Sequence, residues 1–187
     1  LETKIMINYS PNTVRASWLS PLGPMTFAAS EKGLCGVWFD GQRHEPDLSQ
    51  WPLVPLDSHP VLVSTRDALA AYFAGTSAQF DVPLDLRGGT AFQQAVWQAL
   101  LEIPAGATTS YGALSQHIGK PKAVRAVGAA IGRNPISVVV PCHRVVGSSG
   151  DLTGYAGGVE RKAWLLQREN APLSQNHNNT KTTRQAL

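Results

Sequence analysis

The chain changes its punctuation at Arg87-Gly88-Gly89, and that change constrains its fold more than any other feature. Upstream, three short β-type runs (14–19, 25–29 and 34–39) are split by Ser20-Pro21-Leu22-Gly23-Pro24 and Ser30-Glu31-Lys32-Gly33. Turn residues at that spacing predict an antiparallel meander. A Pro-rich connection from Pro46 to Pro60 leads into an amphipathic helix over 61–73, ended by Gly75. Downstream the signals are helical. Thr90 and Gln93 fit a capping box, in which hydroxyl and amide each satisfy an otherwise free backbone N–H. That helix should run to about Glu102, before Pro104 stops it. Ser110 caps a second helix through His117, with Gly119 just past its end, and Pro121 opens a third that runs to about Gly132. Two helices joined by a short Gly-containing turn predict a helix-turn-helix. Residues 138–140 read as a brief strand and 159–169 as a last helix. From Ala171 on there is no apolar periodicity, and this tail is expected to be disordered.

Composition excludes several classes. With 43% hydrophobic and 16% charged residues, the chain is globular rather than disordered. No apolar run reaches the roughly 18 residues a membrane helix needs, so no membrane partner is expected. Residues 1–10 lack the succession of a secretory signal. The only cysteines, Cys35 and Cys142, rule out a disulfide framework and suit a reducing cytoplasm. Two Cys and five scattered His show no zinc-ligand spacing, so no metal is expected.

Charge is unevenly distributed. Residues 1–87 carry six Lys/Arg against nine Asp/Glu, whereas residues 88–170 carry eight against four. Within 103–150 stand Lys120, Lys122, Arg125, Arg133 and Arg144 without a single carboxylate. Such a stretch favours a polyanion such as nucleic acid, although a solvated basic surface would read the same way. On the third helix Val124, Val127 and Ile131 share one side as a core stripe. The other side carries Arg125, Ala126, Ala129, Gly132 and Arg133, and small residues there allow close approach of another surface. Either a DNA groove or a neighbouring helix fits that face.

The strongest chemical signal is Pro141-Cys142-His143-Arg144-Val145, after an apolar run. Flanking positive charge would favour the nucleophilic thiolate of Cys142, whereas a lone cysteine is otherwise a small buried hydrophobe. In an extended segment His143 would point away from Cys142, and would act on it through a water. Glu169 falls on the apolar side of the last helix near its C-terminus, where negative charge is disfavoured. It is either paired, with His143 the candidate partner, or frayed into solvent.

The cysteine motif resembles the active-site motif of the O6-alkylguanine-DNA alkyltransferases. The likeness runs through Phe92-Gln93-Gln94-Ala95-Val96-Trp97, Ser110-Tyr111, Pro121 to Gly128, Asn134-Pro135, Thr153 to Gly158 and Arg161 to Leu166. It covers nearly all of residues 88–170. The first half matches weakly, mainly in Ser20 to Pro24 and Ala70 to Gly75, and the tail does not match.

The resemblance implies a two-part α+β fold. A small antiparallel sheet-plus-helix domain (1–87) would precede a mainly helical domain (88–170) with a winged-helix-like helix-turn-helix, leaving 171–187 as tail. The implied reaction is transfer of the alkyl group from O6-alkylguanine, and from O4-alkylthymine, to Cys142. It would be irreversible, single-turnover and accompanied by base flipping. His143 and Glu169 align with a Glu–His–water–Cys relay, and Asn134 with the residue linking the recognition helix to the active site. Tyr111 aligns with the tyrosine that crowds the target phosphate and protonates the departing base, and Arg125 with the arginine that replaces the flipped nucleotide in the minor groove. Gly112, Ser148, Lys120, Lys122 and Arg133 complete the implied DNA contacts, and Val145, Tyr155, Ala156 and Lys162 the guanine pocket. No cofactor is implied, and the partner is double-stranded DNA met by a monomer. A thiol hydrolase would need an oxyanion hole and a water route that no motif here announces. A plain helix-turn-helix regulator would have no use for the cysteine motif.

Overall fold

The turn residues set the sheet, which is seen in a computed structural model that describes residues 6–173. Strands β1 (Val14–Ser20), β2 (Gly23–Ala29) and β3 (Leu34–Phe39) pair antiparallel in the order β1-β2-β3. Gly23 and Gly33 take φ of 109° and 152° at the two reversals, conformations that L side chains rarely adopt. Helix α1 (Pro60–Ala74) has proline in its first turn and ends on left-handed Gly75. Its Leu62, Leu69, Tyr72 and Phe73 join Phe27, Val37 and Phe39 of the sheet in the main core.

The second half starts on the expected capping box: the Thr90 hydroxyl accepts from Gln93 N–H and the Gln93 amide accepts from Thr90 N–H. Helix α2 (Ala91–Leu101) buries Val96, Trp97 and Leu100, and the Trp97 indole donates to Ala130 O at 2.9 Å. Strand β4 (Thr109–Ser110) pairs in parallel with β5 (Val145–Val146), and α3 (Tyr111–His117) starts on the Ser110 cap. Helix α4 (Val124–Gly132) and helix α5 (Val159–Arg168) complete the order. None of the described helices is long and apolar enough to cross a membrane.

Several expectations fail at the segment boundaries. The third helix starts at Val124 rather than Pro121, because Ala123 N–H bonds to Lys120 O and Pro121 occupies the first corner of that turn. Val124 is consequently 37% exposed, and the buried stripe is Val127, Ala130 and Ile131. Residues 138–140 form turns instead of a strand, with Val138 at φ 71°. The segment is folded back by Val140 N–H to Ile136 O, a local bond that strand pairing would exclude. Cys142–Arg144 is likewise a 3-10 turn, not extended chain. Ala171, assigned to the tail, is buried with Val146 and Leu166, while the tail from 174 lies outside the described residues.

The two halves interlock. Residues 135–137 add to the edge of β3: Val37 N–H donates to Pro135 O and Ser137 N–H to Val37 O, both at 2.9 Å. Arg161 of α5 reaches Leu22 O, and Arg168 reaches Phe73 O. The segment leading into the cysteine motif is thereby fixed on the first half's sheet.

Candidate active site

The site is built around one asparagine. Asn134, 5% exposed just beyond α4, accepts from Ile136 N–H through Oδ1 and donates through Nδ2 to Val140 O at 2.8 Å and to Cys142 Sγ at 3.1 Å. One amide therefore shapes the turn that includes left-handed Val138 and sets the sulfur's position. A β-branched residue at positive φ costs about 1–3 kcal/mol, which the surrounding bonds must offset.

Behind the sulfur lies a buried ionic cluster. Tyr72 Oη, His143 Nε2 and Arg144 Nη2 all donate to Glu169 Oε1 at 2.8 Å, and Arg144 Nε donates to Oε2 at 2.9 Å. The Glu169 side chain is 1% exposed and that of His143 0%, so Glu169 is paired rather than frayed. Burial alone would raise the Glu169 carboxyl, but the hydrogen bonds from His143 and Arg144 outweigh it and hold the group at about 2. Burial pushes the His143 imidazole down despite the bond it donates to Glu169, leaving it neutral. A carboxylate only accepts, so Nε2 carries the proton and Nδ1 the free lone pair. That Nδ1 is buried and has no hydrogen-bond partner.

Cys142 is 6% exposed, and burial pushes its thiol up against the lowering effects of the Asn134 bond and the Lys162 charge. The expected charge source is thus corrected. Arg144 turns away to Glu169 and to Ile103 O, and Lys162 is the cation whose field reaches the sulfur. Lys162 is fully buried, its Nζ donating to Val145 O and Thr153 O, and burial lowers it to about 8.

Cys142 opens on a cavity of about 340 Å³ whose wall includes Tyr111, Ile131, Arg133, Tyr155 and Ala156. Cys142, Tyr111, Arg133, Tyr155 and Ala156 are thus brought together around one cavity. Asn134, His143, Glu169 and Lys162 stand behind the wall, and Val145, 0% exposed, contributes the carbonyl that anchors Lys162. Tyr111 Oη accepts from Thr153 Oγ1 at 3.1 Å. The Ala156 N–H makes no hydrogen bond among the described residues.

Arg125, Ala126 and Ala129 are exposed on α4, and a Cβ on Gly132 would meet nothing within 4 Å. Among the described residues no helix covers this face, and none of them supplies the helix–helix alternative for its small residues. Lys120, Lys122 and Ser148 are exposed but do not line the cavity, and Gly112 faces open space in the first turn of α3. Among the described residues no group of three His, Cys, Asp or Glu is placed to hold a metal.

Sequence reasoning missed Tyr72, Arg43 and His44. Tyr72 lies in the Ala70 to Gly75 stretch that carried part of the resemblance, the one signal that pointed to it. Arg43 and His44 line the cavity from the first half, and no sequence signal indicated them.

Known proteins are similar to this chain in sequence and fold. Residues 91–171 match the family model of the 6-O-methylguanine DNA methyltransferase DNA binding domain, and residues 14–86 match its ribonuclease-like domain. The methylated-DNA–protein-cysteine methyltransferase of Mycobacterium tuberculosis is 51% identical over 150 residues, 80% of this chain and 88% of that protein. The crystal structure of the Mycobacterium tuberculosis O6-methylguanine methyltransferase superposes with a TM-score of 0.76 at 48% identity, covering 86% of this chain and 95% of that one. The same organism's OGT in complex with DNA gives 0.75 at 48% identity, covering 84% and 94%. The chain belongs to the 6-O-methylguanine DNA methyltransferase family.

Proposed function

We propose that this chain removes the alkyl group of O6-alkylguanine, and of O4-alkylthymine, from double-stranded DNA by transferring it to Cys142, once per molecule. The broader statement follows from its family: it is a methylated-DNA–protein-cysteine methyltransferase, binds DNA and acts in DNA repair. The observation that carries the finer reading is the Cys142 sulfur at the cavity wall, held by Asn134, with neutral His143 and ionised Glu169 behind it.

The chemistry follows from those groups. The thiol rests protonated, so its proton must leave as the sulfur attacks. His143 Nδ1, oriented by the Glu169 bond to Nε2, takes that proton through a water. The sulfur–carbon bond forms as the carbon–oxygen bond breaks, and its electron pair stays on the guanine oxygen. Tyr111 protonates the departing base and regains a proton from the relay, so the thiol proton ends on guanine. The thioether has no carbonyl for water to attack, and the protein is consumed.

A target oxygen inside a duplex is out of reach of a 6% exposed sulfur, so the nucleotide flips into the cavity at a cost of a few kcal/mol. The uncovered face of α4 suits the minor groove, about 6 Å wide, with Arg125 filling the emptied stack. Gly112 and Ser148 lie beside the entering strand, and Lys120, Lys122 and Arg133 neighbour phosphates. The protein acts as a monomer, in a reducing cytoplasm that keeps Cys142 a thiol. Intact-mass analysis after incubation with DNA containing one O6-methylguanine tests the reading. The expected result is one added methyl on Cys142, lost in Cys142→Ala. Repeated turnover by one molecule would refute it.

A further inference from the structure

The mouth of the Cys142 cavity carries two polar side chains, Arg43 and His44, to which the reading above gives no role. Arg43 and His44, from the loop after β3, line it together with Arg133 at the end of α4. His44 and Arg133 also line an adjoining cavity of about 610 Å³ that runs along Glu45 to Asp47, so they stand between the two openings. No ion pair involves Arg43, His44 or Arg133 among the described residues. The nearby carboxylates are engaged locally, Glu45 by Gly41 N–H and Asp47 by Ser49.

The loop is held in place rather than loose. Arg43 N–H donates to Ala156 O at 3.0 Å, joining the loop to the wall of the base pocket. His44 takes φ 62°, a left-handed conformation that non-glycine residues hold only when their surroundings impose it. Burial, then the charges of Arg133 and Arg43, push the His44 imidazole down, so it stands beside the two guanidinium groups as a neutral hydrogen-bond donor. Clustered, unpaired positive charge at an opening is a ready anion site.

We propose that Arg43 and His44, with Arg133, form a phosphodiester clamp through which the first half of the chain grips the strand bearing the damaged nucleotide. The inference rests on the reading of the Cys142 cavity as the pocket for a flipped base. A base seated inside leaves its sugar and flanking phosphates at the mouth, where these side chains stand. The second half then does not bind DNA alone: one jaw is α4, the other the loop over 43–44.

The test uses the full chain with Arg43→Gln, His44→Asn (asparagine tolerates the left-handed conformation) and the double variant. Transfer to Cys142 is timed from duplex DNA with one O6-methylguanine, from the same duplex with neutral methylphosphonates flanking the lesion, and from free O6-benzylguanine. Arg43→Gln should lower the slope of log affinity against log salt by about one. On the normal duplex the double variant should lose at least about tenfold more rate than on the free base, roughly 1.4 kcal/mol of differential interaction. Neutral flanking phosphates should slow the unsubstituted chain and leave the double variant little changed. Equal losses on duplex and free base, or a methylphosphonate effect as large in the double variant as in the unsubstituted chain, would overturn the clamp. Failure of the unsubstituted chain to alkylate on any substrate would instead overturn the reading of Cys142, and the clamp with it.

Discussion

Replacing Glu169 by glutamine probes the structure where its electrostatics are most concentrated. Three donors meet on Oε1 and a fourth on Oε2, and the Arg144 side chain that supplies two of them is 7% exposed. Glutamine keeps one acceptor oxygen, turns an amide toward a guanidinium that needs an acceptor, and removes the charge that balances Arg144. A carboxyl held at about 2 instead of 4.5 corresponds to about 3 kcal/mol. That agrees with the about 3–5 kcal/mol lost when one member of a buried pair is removed. The sign is fixed by the depressed value. The stabilisation is complete above 4.5 and disappears as pH falls through about 2. Urea unfolding followed by tryptophan fluorescence should therefore give a wild-type minus Glu169→Gln difference of about 3 kcal/mol at neutral pH, shrinking progressively below about pH 4.5. Alkyl transfer by the variant should fall as well, because His143 loses the anionic acceptor that makes its imidazole a better base. A neutral-pH difference under about 1 kcal/mol, or one that does not change with acid, would refute the electrostatic reasoning.

Tyr72→Phe should cost about 1.5–3 kcal/mol in urea without slowing transfer, since Glu169 keeps His143 and Arg144; a rate loss would give Tyr72 a role beyond structure. Lys162→Met should raise the pH at which Cys142 reacts with a small thiol reagent. In the same pair the wild type should gain stability relative to the variant as pH climbs from about 8 to about 10.5, because the unfolded lysine then holds more protons; a flat difference would contradict the burial of this amine. Arg125→Ala should slow repair in duplex DNA by about tenfold for each roughly 1.4 kcal/mol of stacking it replaces, and far less opposite an abasic site. Equal losses on both substrates would make Arg125 an ordinary phosphate contact.

What the sequence disclosed was what depends on near neighbours. The meander, the Thr90–Gln93 capping box and the Ser110 cap each rest on residues a few positions apart, and all appear in the structure. The segment from Asn134 to Cys142 was misread as partly strand because its shape comes from a side-chain amide and from pairing with β3, a hundred residues away. The thiol's cation was misassigned for a related reason: adjacency in sequence favoured Arg144, and packing brought Lys162 instead. Counting charge by halves hid Arg43, since an acidic first half can still deliver a cation to one edge of the site. Glu169 was legible only as an anomaly, a carboxylate on an apolar helix face, until its partners were seen.

The pairing of Val37 with residues 135–137 bears on how the molecule comes apart. Two family models divide the chain, yet neither half keeps its edge strand or its ionic cluster complete without the other. Melting should therefore be a single event, with the amide hydrogens of Val37 and Ser137 exchanging with solvent at one common rate set by global opening. A nick in the chain between α1 and α2 would leave the pieces associated, and a fragment of the second half alone would present Asn134 and Cys142 on an unsupported loop.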